Sequence, residues 1–279
     1  MTDAGAGTPP DASLLGGSSL GSELRRFAGD LAMRAGTAVL EARRSGTGTV
    51  DTKSTPTDMV TEHDRAAEAL IVGALRLERP DDGIIGEEGT ADEGTSGVQW
   101  FIDPIDGTTN FMYGLPGYAV SIGASDTHGR LAGAVYVPAT GELFSAARGE
   151  GATVNGISIT CSTTTDLSQA LVATGFNYHR EVRLRQAARL PYMIGEIRDI
   201  RRLGAAAVDL CYVAAGRVDG YFEEGLGAWD LAAGVLIATE AGCVTGDFAG
   251  DAVRPAEVLV ANPALFESLR ALINAATHR

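Results

Sequence analysis

The segment Asp103-Pro104-Ile105-Asp106-Gly107-Thr108-Thr109 sets two carboxylates three residues apart across a proline, then adds a glycine and two hydroxyls. Carboxylates are the ligands that hard divalent cations prefer. A helix starting just after them would aim its free N–H groups at an anion. One short loop could therefore hold both a metal and a phosphate. Asp-Pro and Asp-Gly are also ordinary turn dipeptides, so the segment has to be weighed with the other acids of the chain.

Four acidic groups share one pattern, a carboxylate beside Gly or Pro at the end of a predicted strand or the start of a predicted helix: Asp58, Glu87-Glu88, Asp103 with Asp106, and Asp230. In α/β layers, sites form at such element ends. If these ends converge, five or six carboxylates crowd together, which is strongly repulsive unless cations hold them. A ligand set of oxygens without Cys or His points to magnesium or manganese over zinc.

The elements that must position these groups are legible in outline. Apolar residues at Leu24, Phe27, Leu31, Ala35, Ala38 and Ala42 mark a helix over about 22–44. Thr61 reads as an N-cap, with Asp64 completing a weak capping box, for a helix to about Leu77. A short strand at Ile84-Ile85 precedes Gly86-Glu87-Glu88-Gly89, and 90–98 reads as a polar loop. Trp100-Phe101-Ile102 reads as a buried strand that Pro104 stops, and Thr108 and Thr109 read as caps of a short helix. Residues 117–154 read as an antiparallel meander, with strands over 118–124, 131–137 and 142–147. The second half alternates: strand 170–174, helix 180–193, strand 199–202, helix 204–216, strand 218–223, a helix opened by Asp230, strand 258–261, and a last helix opened by Pro263. That alternation predicts a mixed or parallel sheet covered by helices.

The chain has 279 residues, 45% of them hydrophobic, enough for a substantial core. A net charge of −14 argues against a surface built to grip nucleic acid or an anionic membrane. No apolar run approaches the roughly 20 residues that span a bilayer. Three cysteines, Cys161, Cys211 and Cys243, odd in number and far apart in sequence, fit a reducing compartment with neither a disulfide framework nor zinc spacing. The expected division is a disordered tail over 1–21 without signal-peptide character, an α+β subdomain over 22–160 and an α/β subdomain over 161–279. The default location is the cytoplasm.

Gly86-Glu87-Glu88, Asp103 to Thr109 and Trp229-Asp-Leu-Ala-Ala-Gly234 resemble, in order and spacing, the three signature segments of the inositol monophosphatase family. The stretch from Arg202 to Gly220 is similar to its bacterial SuhB-type branch. The likeness covers about residue 23 to the end. It implies the five-layer α-β-α-β-α sandwich of the inositol monophosphatase and fructose-1,6-bisphosphatase superfamily, usually a homodimer. It implies two or three Mg2+ ions, with Mn2+ a possible substitute, held by Glu87, Asp103, the Ile105 carbonyl, Asp106 and Asp230. Thr108 with Glu87 would orient and deprotonate the attacking water, and Asp58 would support them from behind. The N–H groups of Gly107 and Thr108 would bind phosphate. Glu223, the backbone near Ala205 and Ala206, Asp106 and Asp230 would contact the substrate's hydroxyls. The segment Thr174 to Tyr178 has no assigned contact.

The resemblance thus implies hydrolysis of myo-inositol monophosphate by activated water, with lithium inhibition. Sister activities on fructose 1,6-bisphosphate, histidinol phosphate or phosphoadenosine phosphate are the alternative. A second alternative is a binding role toward the transcription machinery through the arginines at 183–202, with no direct nucleic-acid contact.

Overall fold

The computed structural model describes residues 19–46, 49–55 and 59–277. Most of the expected tail over 1–21, and Asp58 with it, lies outside them. Helix α1 (Leu20–Ser45) starts two residues earlier than expected, because Ser19 caps it by accepting the Ser22 N–H. Strands β1 (Val50–Thr52) and β2 (Met59–Thr61) pair antiparallel; three-residue strands are too short to show a period. Helix α2 (Glu62–Glu78) begins at the expected Thr61–Asp64 capping box.

Next come β3 (Gly83–Gly86), β4 (Ala91–Asp92), β5 (Gln99–Asp106), α3 (Thr108–Tyr113), β6 (Ala119–Asp126), β7 (Gly129–Val137), β8 (Glu142–Ala147), β9 (Ala152–Val154) and β10 (Ile157–Ser158). Among the described residues these strands form one sheet in the order β10-β9-β8-β7-β6-β5-β3-β4, antiparallel except between β3 and β5. Two expectations are corrected here. Residues 90–98 contain β4, which pairs with β3. Pro104 does not end β5: the ladder passes from the pair Asp103–Ser121 to the pair Asp106–Ala119 through a bulge. The proline's missing N–H falls inside that bulge, where no ladder bond is lost.

The second half holds β11 (Leu171–Thr174), α4 (Arg180–Ala187), α5 (Leu190–Met193), β12 (Asp199–Arg201), α6 (Ala206–Ala214), β13 (Gly220–Glu224), α7 (Ala228–Glu240), β14 (Val244–Gly246), β15 (Glu257–Ala261) and α8 (Phe266–Thr277). The second sheet runs β12-β11-β13-β15-β14, with β11 parallel to both its neighbours and β15 antiparallel to both of its own. The single helix expected over 180–193 is two, and Pro191 opens the second, a position where a missing N–H costs nothing. Gly204 has φ +93°, so α6 starts after it. The last helix begins at Phe266, past Pro263.

The layers alternate helix and sheet five times. Leu24, Leu31, Ile71 and Leu75 of α1 and α2 pack on Trp100, Ile102 and Ile122 of the large sheet. Its other face meets α6 and α7, which also cover the small sheet through Ala173, Tyr221 and Val260. Beyond that sheet, α8 packs Leu269 and Ile273 on Phe222 and Leu259. No helix among the described residues is long and apolar enough to cross a membrane. We propose that 22–160 and 161–279 are halves of one cooperative unit, since the middle cluster takes residues from both.

Helix α7 lies against glycines. A Cβ on Gly123 would stand 2.7 Å from the Ala232 Cβ, and one on Gly133 would stand 2.8 Å from the Ala233 Cα. This close approach sets the position of Asp230, three residues ahead of Ala233. Gly133→Ala must push helix backbone, which cannot give way as a side-chain tip can. It should cost about 1–3 kcal/mol, as overpacking does. Urea unfolding should show this as a lower midpoint of a single transition; two transitions would refute the one-unit reading.

Candidate active site

Each acid of the central cluster sits at a bulge or an end of a regular element and is held by backbone N–H groups. Asp103 accepts the Ile105 N–H (3.1 Å) inside the β5 bulge. Asp106 reaches across to the start of α6 and accepts the N–H groups of Ala206 (3.2 Å) and Ala207 (2.7 Å). It thereby caps a helix whose own N-cap residue, Ala205, has no side chain to do so. Asp230, in the first turn of α7, accepts the Gly227 N–H (2.6 Å). One carboxylate oxygen from each of Asp103, Asp106 and Asp230 lies within 4.8 Å of the other two.

Burial, then the neighbouring acids, raises the carboxyls of Asp103 and Asp106 well above the ordinary range. Asp230 is pushed up to about 6, chiefly by burial and next by Glu87. Two buried carboxylates and a half-buried third that resist ionisation beside one another are a fit place for a cation. Their donors are hard oxygens, matching a divalent cation of the magnesium type.

Gly107 holds the left-handed conformation (φ 87°) and is itself the N-cap of α3. The expected threonine cap is therefore corrected: Thr108 is the first helical residue. Its hydroxyl lies 3.2 Å from Asp64 Oδ1 and 3.1 Å from the Ile105 carbonyl oxygen. Asp64 was legible as a capping residue only. It has a second partner because its other oxygen takes the Thr61 N–H (2.8 Å), which leaves Oδ1 directed at Thr108. Burial raises its carboxyl as well.

One turn further along α2, buried Glu68 shapes the Gly86–Thr90 loop. It accepts the N–H groups of Glu88 (2.8 Å) and Thr90 (3.2 Å). A Cβ on Gly86 would stand 2.4 Å from Glu68 Oε2, so a glycine is needed there. Two acids four residues apart on the buried stripe of an amphipathic helix were the sequence signal for this support. Lys53 lies 2.7 Å from both Glu87 and Glu88. Burial opposes its charge, but the two carboxylates outweigh that and hold its pKa above the ordinary value.

The acids of the cluster line one open cleft of about 650 Å³, the solvent at its mouth included. Glu87, Asp103, Ile105, Asp106, Gly107 and Thr108 line it. Ala205, Ala206, Glu223 and Asp230 also face it, so it gathers all the expected site residues that the structure describes. The previously unassigned Phe176, Asn177 and Tyr178 line it too, as does Arg202. The Ala206 N–H, expected at the substrate, is donated to Asp106. Glu223 accepts the Tyr221 hydroxyl (2.7 Å), and a Cβ on Gly175 would stand 1.9 Å from it.

Residues 21–278 match the model of the inositol monophosphatase family. The chain belongs to this family. Similar members include the Nus factor SuhB of Pasteurella multocida, 46% identical over 78% of this chain and 83% of that one. An inositol-1-monophosphatase of Mycobacterium leprae is 48% identical over 72% of each. Among solved structures, the extragenic suppressor protein suhB of Bartonella henselae superposes with a TM-score of 0.86 at 34% identity, covering 90% of this chain and 98% of that one. As a member of the inositol monophosphatase family with the same sandwich, the chain is a phosphomonoesterase, a hydrolase of phosphate esters.

Glu223 offers a titration to measure. Burial pushes its carboxyl from an ordinary 4.5 to about 7, against the Tyr221 hydrogen bond. Between those values the folded chain keeps a proton that the unfolded chain has released, so raising the pH through this window lowers stability. The loss should reach about 3 kcal/mol by pH 7. In urea unfolding of the metal-free protein from pH 4.5 to 7.5, Glu223→Gln should remove that part of the slope. Parallel profiles for the two proteins would contradict it.

Proposed function

We propose that the chain hydrolyses myo-inositol monophosphate, with two or three Mg2+ ions held by Glu87, Asp103, Asp106, Asp230 and the Ile105 carbonyl, and Mn2+ as a substitute. The observation that carries this reading is the convergence of Asp103, Asp106 and Asp230 beside the hydrogen-bonded pair Thr108–Asp64 in a cleft that also presents Glu223. Cations bound there neutralise the phosphate ester and lower the pKa of water.

The chain's own groups do the rest. The N–H groups of Gly107 and Thr108, at the start of α3, receive the phosphate oxygens. The Thr108 hydroxyl gives its proton toward Asp64, which leaves its oxygen free to accept one from the attacking water, with Glu87 aligning that water. Asp64 therefore takes the supporting role expected of Asp58. Glu223 accepts hydrogen bonds from the polyol hydroxyls, with Asp106, Asp230 and the backbone at Ala205 and Ala206 beside it. Held on element ends, these groups are oriented before substrate arrives.

Phosphate release from inositol 1-phosphate with Mg2+ should exceed release from fructose 1,6-bisphosphate, histidinol phosphate and phosphoadenosine phosphate. Asp106→Asn should abolish it. Asp64→Asn should lower kcat about a hundredfold with little change in KM, as loss of a proton-transfer partner does. Millimolar lithium should inhibit. Release led by another ester would replace the substrate and keep the mechanism; no release from any ester would end the reading. We also propose a cytoplasmic homodimer. A single-chain mass in light scattering would remove the dimer, and recovery of the native protein outside the cytoplasm would remove the location.

A second role is favoured by one surface. Leu184, Tyr192 and Ile194 are exposed apolar residues on and just after α4 and α5, in the stretch of chain that also carries Arg183, Arg185 and Arg198. With a relative named a Nus factor, we propose that this face binds a component of the transcription machinery. Pull-down with RNA polymerase and elongation factors should be lost in Leu184→Asp; equal recovery with both forms would refute it.

A further inference from the structure

Cys161 and Cys243 lie far apart in sequence, yet the fold sets their thiols side by side. Cys161 stands in the connection between the two sheets, after β10 and before β11, and Cys243 follows the turn that ends α7. Both thiols are free. The backbone that carries each is fixed. The Cys161 N–H donates to the Ala241 carbonyl (3.0 Å), and the Cys243 N–H donates to the Ala238 carbonyl (3.0 Å). Next to Cys161, the Ser162 hydroxyl donates to Asp219 (2.6 Å). Between Ala241 and Cys243, Gly242 takes φ +89°, and a Cβ there would stand 4.0 Å from Cys161 Sγ. The Cys161 sulfur therefore lies over the turn that carries Cys243, and the two thiols are in hydrogen-bond contact.

The pair is unequal. Cys161 is half-exposed, whereas Cys243 is buried in the cluster shared by the two sheets. Burial, then the neighbouring Cys161, pushes the Cys243 thiol up, which keeps it from reacting as a thiolate with an oxidant in solution. An accessible sulfur with a sheltered one held against it is the arrangement in which a sulfenic acid is resolved as a disulfide.

We propose that Cys161 and Cys243 form a peroxide-sensitive clasp that fastens the connection between the sheets to the C-terminal end of α7. The Cys161 sulfur attacks one peroxide oxygen, the O–O bond breaks, and Cys161 becomes a sulfenic acid with release of water. The Cys243 sulfur then attacks the Cys161 sulfur and the S–O bond breaks. The departing hydroxyl takes the Cys243 proton and leaves as a second water. The two sulfurs together lose two electrons, which the peroxide gains. A thiol reductant reverses the reaction. The clasp stands about 20 Å along α7 from Asp230, so its effect falls on unfolding and not on the cleft. A link over 161–243 removes freedom from the unfolded chain.

Hydrogen peroxide given to the full chain should lower its intact mass by two hydrogens, and peptide mapping should join the segments that carry Cys161 and Cys243. The thermal midpoint should rise by about 5 °C or more, and dithiothreitol should restore both values. Cys161→Ser should show neither change. Cys243→Ala should stop at the sulfenic acid, so that dimedone labels Cys161. If Cys243→Ala does not fold, the half-exposed Cys161→Ser and the mapping of the native chain decide the matter. Added oxygen on native Cys161 without loss of two hydrogens would overturn the proposal. So would a link that uses Cys211 or a second chain, or a Cys161–Cys243 link that leaves the midpoint where it was.

Discussion

The structure turns on the repulsion between buried carboxylates. Asp103 and Asp106 are buried and Asp230 half-buried, and one oxygen of each lies within 4.8 Å of the other two. Left alone, such groups either stay protonated or force the structure apart. What opposes dispersal is backbone. The β5 bulge presents the Ile105 N–H to Asp103, the start of α6 presents two N–H groups to Asp106, and the start of α7 presents one to Asp230. Helix N-termini carry partial positive charge, so the scaffold offsets part of the repulsion. The remainder is available to a divalent cation.

The packing explains why these element ends coincide. Helix α7 sits on a floor of glycines in β6 and β7, closer than any side chain would permit. Helix α6 packs beside α7, and both are shared by the two sheets. The acids thus sit on elements that cannot slide without disturbing a close-packed layer. The cleft is held in shape before any ligand arrives, which is what a site that works by orientation and electrostatics requires.

Support from behind follows the same logic. Asp64 and Glu68 leave the buried face of α2 one turn apart, one toward the Thr108 hydroxyl and the other toward the Glu87-Glu88 loop. A single helix therefore sets both the Thr108–Asp64 pair and the acidic loop. Each carboxylate has its second oxygen or a second partner occupied, which holds the side chain in one orientation.

Local rules in the sequence determined much of this protein. The capping box at Thr61, the periodicity of α1 and the meander of β6 to β8 need only neighbours along the chain to be recognised. So do the acids at predicted strand and helix ends, of which the structure brings Glu87, Asp103, Asp106 and Asp230 to one cleft. The tertiary structure alone decided three things. Pro104 sits within a strand because a bulge opposite β6 absorbs its missing N–H, a fact about the partner strand. Asp64 reaches Thr108 because α2 packs against the layer that carries α3. Asp106 caps α6 across a separation of a hundred residues. Such contacts depend on where distant segments meet, and residue spacing along one chain carries no record of that meeting.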